Sequence, residues 1–356
     1  MSSKRRISRM LKKPAVRAGI LMILVILGNI FYKVFSALNL DKDEPEAKVS
    51  PGRHLAKREP GSGPDPAREE GAYHGFHAVS ETRDGKPIVK VLLLTNPRSG
   101  SSYTGELLTS RGDAIYMFEP LYVWRKFLGA GADPRYEADS AKVLGDLLDC
   151  RPEVLRRWRM LSVFRKRPRG ARHFCRDAQL RVVKTIRAKA HFVKPWIINR
   201  PDIKVVHLVR DPRGVMNSLK NGGNLWTDNN RNASLLCDAI NKNIQLEDLG
   251  PTRYLRVRYE DLVDHPEEET RRIYSFMGVN VDAKVMAYLK RHTGREDPQG
   301  VDQRYLNTYR DVSFRHDHWK AKLNPDVRQH VEDVCSDVMQ KLNYQPVLVT
   351  IWPHKR

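Results

Sequence analysis

From residue 88 onward, short apolar runs alternate with helical patterns, and this alternation restricts the fold more than any other feature of the chain. Ile88–Thr95, Ile115–Phe118, Leu180–Ile186, Ile203–Val209 and Tyr254–Val257 read as buried strands bounded by polar turns. Helical periodicity fills the intervals near Ser102–Ser110, Ser140–Leu148, Arg213–Lys220, Ala233–Leu249 and Pro266–Met277. Strands that are apolar on both faces need cover on both, so the pattern predicts an α/β fold: a parallel sheet flanked by helices. Val327, Val331, Val334, Val338 and Leu342 recur at helical spacing behind Pro325 and predict a last helix.

Before residue 88 the chain reads differently. Residues 1–17 carry seven Lys and Arg and no acid, and 18–38 are mostly apolar, with Lys33 the one charge. Positive residues stay cytoplasmic, so 1–17 reads as a basic tail and 18–38 as a signal-anchor transmembrane helix. A cleaved signal peptide is the rival, but no small-x-small site follows, because Phe35 stands three residues before the cleavage point after Ala37. Residues 39–87 are rich in Pro, Gly and charge, a composition that cannot offset its ordering entropy, and read as a flexible luminal stem. The folded domain then spans 88–356.

The 63 Lys and Arg exceed the 42 Asp and Glu, a formal net charge of +21 that calls for an anionic partner. Nucleic acid fits poorly with a membrane anchor. Cys150, Cys175, Cys237 and Cys335 lack zinc-ligand spacing, and in a secretory context they predict two disulfides rather than buried thiols. Cys150–Cys175 with Cys237–Cys335 is the preferred pairing of the three connectivities, among which the sequence alone does not choose.

Chemistry concentrates in two turns. After the first strand, Thr95-Asn96-Pro97-Arg98-Ser99-Gly100-Ser101-Ser102-Tyr103 leads into a helix. A strand, a glycine turn and a helix start present backbone N–H groups to a phosphate. Arg98 adds a forked cation, and Ser99, Ser101 and Ser102 add hydroxyl donors. No Walker loop is present, since the lysine after the glycine is missing. An ordinary turn with helix-capping serines is the plainer reading. Farther along, Arg210 ends the strand Ile203–Val209, and Ser218 follows eight residues later, about two turns into the next helix. The plainer reading there pairs Arg210 with Asp211.

Pro97-Arg98-Ser99-Gly100-Ser101-Ser102 resembles the 5′-phosphosulfate loop of sulfotransferases, and Thr95–Leu108 is similar to the carbohydrate 6-O-sulfotransferases of the Golgi. The resemblance spans roughly Ile88 to Pro346. It implies the sulfotransferase fold and a donor, 3′-phosphoadenosine 5′-phosphosulfate, whose phosphosulfate is held by Arg98, Ser99, Gly100, Ser101 and Ser102. Arg210 and Ser218 resemble the family's 3′-phosphate grip. Thr308-Tyr309-Arg310, followed by Trp319-Lys320, resembles the segment that closes over the nucleotide, which makes Arg310 a further 3′-phosphate contact. Arg258-Tyr259-Glu260-Asp261-Leu262 matches a segment read here as structural.

For catalysis, Glu119 in Phe118-Glu119-Pro120-Leu121 is the candidate base, against a helix-capping role. Lys184 lies in the apolar strand Val182-Val183-Lys184-Thr185-Ile186, where a buried cation is costly unless it faces an anion. It resembles the lysine that sulfotransferases aim at the transferring group, unless the strand is an edge with a solvated side chain. Arg187 is a helper. His207 reads as a hydrogen-bonded core histidine. No metal is expected.

These readings predict a Golgi, single-pass type II membrane protein that sulfonates a glycan or proteoglycan acceptor at galactose, N-acetylgalactosamine or N-acetylglucosamine. A homodimer is compatible with them. The alternatives are a P-loop kinase or NTPase and a luminal polyanion-binding protein without activity. Asn232-Ala233-Ser234 is the one N-glycosylation sequon.

Overall fold

Valine, leucine and isoleucine crowd the centre of five runs, and all five become parallel strands of one sheet. The computed structural model of the chain describes residues 81–82, 84–127, 135–151, 175–220, 232–293 and 315–347. The expected tail, anchor and most of the stem lie outside these residues, as does Arg310. Among the described residues no helix is long and apolar enough to cross a membrane.

In chain order the elements are β1 (Val89–Thr95), α1 (Ser101–Leu108), β2 (Ala114–Phe118), α2 (Pro120–Phe127), α3 (Arg135–Leu148), β3 (Leu180–Thr185) and α4 (Ala190–Ile198). They continue with β4 (Ile203–Val209), α5 (Pro212–Lys220), α6 (Ala233–Ile244), β5 (Tyr254–Arg258), α7 (Tyr259–Asp264) and α8 (Pro266–Met277). The last are α9 (Ala283–Thr293), α10 (Trp319–Lys322), α11 (Pro325–Val334) and α12 (Ser336–Lys341).

The strand order is β2-β3-β1-β4-β5. The chain leaves central β1, reaches the edge at β2, fills the gap with β3 and then crosses to β4 on the other side. Loops therefore diverge at the carboxyl ends of β3, β1 and β4, where open parallel sheets gather ligands. Alternate residues of β1 enter opposite cores. Leu92 and Leu94 pack with Leu144, Val193 and Ile197, whereas Val91 and Leu93 pack with Leu107, Ile273 and Met277. A third cluster joins α5, α6, α11 and α12 through Val215, Ile240, Val331 and Met339.

At the amino end of the sheet, buried Lys90 pairs with Asp149 and Asp202 at 2.8 Å each. Nearby, buried Arg181 donates to the carbonyls of Leu148 and Arg176. Beside these residues lies the disulfide Cys150–Cys175, and Cys237–Cys335 joins α6 to the end of α11. Both match the preferred pairing.

Two helix expectations need correction. The stretch Ala233–Leu249 is α-helical only to Ile244 and tightens to a 3-10 turn over Gln245–Leu249. The last helix breaks at Cys335 (φ −108°, ψ 9°), and of its apolar stripe Val327 and Val334 face solvent. The disulfide and the kink turn Cys335 and Met339 inward instead. Strand β3 is interior, so the edge-strand alternative for Lys184 is excluded.

His207 is fully buried, with Nδ1 2.7 Å from the Tyr254 hydroxyl. Burial, helped by Arg256, lowers its pKa from 6.5 to about 3. The unfolded chain binds a proton at this group first, so its contribution is complete above pH 6.5 and is lost as pH falls toward 3. Chemical denaturation across this range should show wild type losing about 1.4 kcal/mol per pH unit more than His207→Gln. Equal slopes would place the acid sensitivity elsewhere.

Candidate active site

The β1–α1 loop turns sharply because two of its residues adopt left-handed backbone, Arg98 at φ 62° and Gly100 at φ 85°. Gly100 is the N-cap of α1, and no side chain caps that helix. The first N–H groups of α1 are thus left for an anion at the positive end of the helix dipole. Ser99 and Ser101 are buried and Ser102 is half-buried. Glycine is required at 100 for a second reason: a methyl group there would collide with the Tyr259 ring.

Arg210 approaches the same loop from the tip of β4. Its Nη1 donates to the Arg98 carbonyl at 2.8 Å, and its guanidinium lies over the Tyr259 ring, 4.5 Å from the centroid. Arg98 Nε donates to Ser218 Oγ at 2.9 Å. The structure therefore brings Arg98, Arg210 and Ser218 together, and Ser218 meets Arg98 rather than Arg210. Asp211 is committed to Arg213, with Nη2–Oδ2 2.7 Å, so the alternative pairing of Arg210 with Asp211 does not form. Arg210 is buried, and its Nε has no hydrogen-bond partner among the described residues. A Cβ on Gly214 would lie 3.1 Å from this Nε, so glycine makes room for the guanidinium.

On the other side of β1, Glu119 follows β2 in left-handed backbone at φ 50°. Its N–H donates to the Lys184 carbonyl at 2.9 Å, continuing the β2–β3 pairing. Its carboxylate accepts from Lys184 Nζ at 2.6 Å, Arg187 Nη1 at 2.5 Å and the Ile186 N–H at 3.0 Å. Lys184 also stands over the Phe118 ring at 4.4 Å, and Arg187 over Tyr122 at 4.8 Å. Helix capping is not what this carboxylate does. Since β3 and β4 flank β1, the Lys184–Glu119–Arg187 group and Arg210 lie on either side of the first loop, with strand axes roughly 10 Å apart.

Sequence reading missed Tyr259, the shared floor of Gly100 and Arg210. Only its place directly after a strand hints at that position. Trp319 is buried against Arg213, 4.4 Å from the ring centroid, and adjoins the position of Gly214. Among the described residues no group of three His, Cys, Asp or Glu is placed to hold a metal.

Residues 91–283 match the family model described as "Sulfotransferase family". Carbohydrate sulfotransferase 1 of Mus musculus is 26% identical over 348 residues, covering 78% of this chain and 82% of that protein. Carbohydrate sulfotransferase 3 of Homo sapiens is 25% identical over 328 residues, covering 73% and 68%. The sulfotransferase domain of the Synechococcus PCC 7002 olefin synthase superposes with a TM-score of 0.45 at 19% identity, covering 76% of this chain and 99% of that one.

Gly100→Ala should lower stability by about 2–4 kcal/mol, the sum of left-handed backbone on a residue with a Cβ and a clash with a buried ring. Denaturant unfolding beside Gly278→Ala, which shares the left-handed backbone (φ 76°, ψ 28°) but has open space around its Cβ, isolates the clash.

Proposed function

This chain belongs to the sulfotransferase family, and on that premise we propose that it moves a sulfonate from 3′-phosphoadenosine 5′-phosphosulfate onto a sugar hydroxyl. One observation carries the reading: Arg98 and Arg210, from separate motifs, meet at the tip of β1 within a single hydrogen-bonded unit. A donor phosphorylated at both 5′ and 3′ positions needs two anion sites that one nucleotide can bridge. The uncapped start of α1, with Arg98, Gly100 and the hydroxyls of Ser99, Ser101 and Ser102, suits the phosphosulfate. Arg210, whose buried Nε has no hydrogen-bond partner among the described residues, suits the 3′-phosphate together with Ser218. Arg310 is proposed to join them.

The remaining residues supply the chemistry. An acceptor oxygen forms its bond to sulfur as the bond from sulfur to the bridging phosphate oxygen breaks. Positioning and charge stabilisation dominate such a transfer. Lys184 places its ammonium where charge grows on the leaving oxygen. Glu119 accepts the proton of the attacking hydroxyl, and Arg187 keeps that carboxylate oriented.

For the acceptor we propose the 6-hydroxyl of galactose, N-acetylgalactosamine or N-acetylglucosamine in keratan- or chondroitin-type glycans, in line with relatives named carbohydrate sulfotransferases. The full-length chain, incubated with labelled donor and a panel of defined glycans, should release adenosine 3′,5′-bisphosphate and label one sugar carbon. Arg98→Ala and Arg210→Ala should each lower kcat/KM about 10²–10³-fold. Activity that survives both substitutions would remove the donor assignment.

We propose a Golgi membrane location with a luminal catalytic domain. The basic 1–17 and apolar 18–38 segments, two disulfides and the sequon at Asn232 support it. Asn232 is exposed at the N-cap of α6, where Oδ1 accepts the Leu235 N–H at 3.1 Å. Capping uses the oxygen and leaves the amide nitrogen for a glycan. Endoglycosidase should shift the mass of the chain made in secretory cells by one glycan, and Asn232→Gln should abolish the shift. A chain that never carries the glycan speaks against luminal exposure.

A further inference from the structure

The carboxyl-terminal part of the described chain reaches back to the loop that carries Arg210 at two points. At the first, the Asp211 N–H, one peptide beyond Arg210, donates to Glu260 Oε1 at 3.0 Å, and the Tyr344 hydroxyl donates to Glu260 Oε2 at 2.8 Å. Glu260 and Tyr344 are both buried. The Tyr344 ring is in turn covered by the Arg258 guanidinium at 4.6 Å. At the second, buried Arg213 spans Asp211, Glu332 Oε1 at 2.6 Å and the Gln345 carbonyl at 2.9 Å, with Trp319 over its face. The Val347 N–H closes on the same Glu332 oxygen at 3.3 Å. Cys335, at the end of α11, is tied to α6, which fixes the helix that carries Glu332.

Glu260 attracts the Arg210 guanidinium through space, but these groups make no hydrogen bond to it among the described residues. They act on the backbone on both sides of Asp211, and so on the direction in which Arg210 leaves β4. Among the described residues Arg210 makes one hydrogen bond, to a carbonyl, and lies over one aromatic face. No carboxylate among the described residues accepts a hydrogen bond from it, and Glu260 acts on it by charge alone. The aim of Arg210 therefore depends on the backbone that carries it, and that backbone is held by Glu260 with Tyr344 and by Arg213 with Glu332.

We propose that Glu260 with Tyr344, and Arg213 with Glu332, are positioning residues through which the carboxyl-terminal segment aims Arg210 at the 3′-phosphate of the nucleotide. The assignment rests on the 3′-phosphate reading of Arg210 given above. It makes the segment from Glu332 to Tyr344, remote in sequence from both phosphate motifs, a determinant of the preference for a 3′-phosphorylated nucleotide.

The test is calorimetric binding of adenosine 3′,5′-bisphosphate and of adenosine 5′-phosphate to the full-length chain. Tyr344→Phe and Glu332→Gln keep the shape of each side chain and remove one hydrogen bond or one charge. Each should weaken the bisphosphate about fivefold and leave the monophosphate within about twofold, the scale of one lost positioning hydrogen bond. Equal weakening of both nucleotides means general loosening and overturns the proposal, as does an unchanged preference in both variants. Arg210→Ala is the control: it should erase the preference. If it does not, the 3′-phosphate reading has failed, and the positioning role falls with it. If it does and the two variants bind as wild type, only the positioning role is lost.

Discussion

Cations at the tips of neighbouring parallel strands repel one another, and the architecture of this site is set by how that repulsion is met. Lys184 and Arg187 share the carboxylate of Glu119. Arg213 takes Asp211 and Glu332, and Arg258 lies over Tyr344. Arg210 is handled differently. It hydrogen-bonds the Arg98 carbonyl and lies over the face of Tyr259, while Glu260, already engaged by the Asp211 N–H and Tyr344, attracts it without a hydrogen bond. A buried charge held this way is costly in isolation and becomes favourable when an anion arrives. The fold thus gives Lys184, Arg187 and Arg213 a carboxylate in direct contact and leaves Arg210 without one in direct contact among the described residues.

That arrangement depends on strand order, which the sequence did not reveal. The strands themselves were legible within a residue or two, because strands buried on both faces read as unbroken apolar runs. Nothing in the run Leu180–Ile186 says that it inserts between β1 and β2, yet that insertion places Lys184 beside the loop of Arg98. The helices were less legible. α4 carries Pro195 in its interior, and α7 has only six residues, too few for periodicity to show. The break at Cys335 escaped notice because valines continue the helical spacing across it. There the disulfide to Cys237 and the close packing of Met339 outweigh the apolar stripe.

The site was legible where chemistry is local and hidden where it is not. A strand, an Arg, a Gly and three hydroxyls in one loop announce an anion site. The contacts that complete it join residues far apart in sequence. Ser218 belongs by spacing to the Arg210 motif, but its oxygen meets the Arg98 guanidinium, so the two motifs share a residue. Tyr259 serves both motifs, as the wall against Gly100 and the floor under Arg210. Its sequence neighbours gave it only a structural place.

Backbone strain points to the same region. Four described residues other than glycine have positive φ: Arg98, Glu119, Cys150 and Asn343. Each such conformation costs about 1–3 kcal/mol and persists only where its surroundings demand it. Cys150 is held by its disulfide. Arg98 lies in the loop after β1 and Glu119 directly after β2, with β3 between the two strands, and Asn343 precedes the tyrosine bound to Glu260. A protein selected for stability alone would place glycine at 98 and 119 and a smaller cluster of charges between them. Retaining an Arg and a Glu in strained backbone, with buried ion pairs whose desolvation offsets much of their attraction, is costly for folding. It makes sense where the side chains are needed at those points, fixed in direction before any ligand arrives.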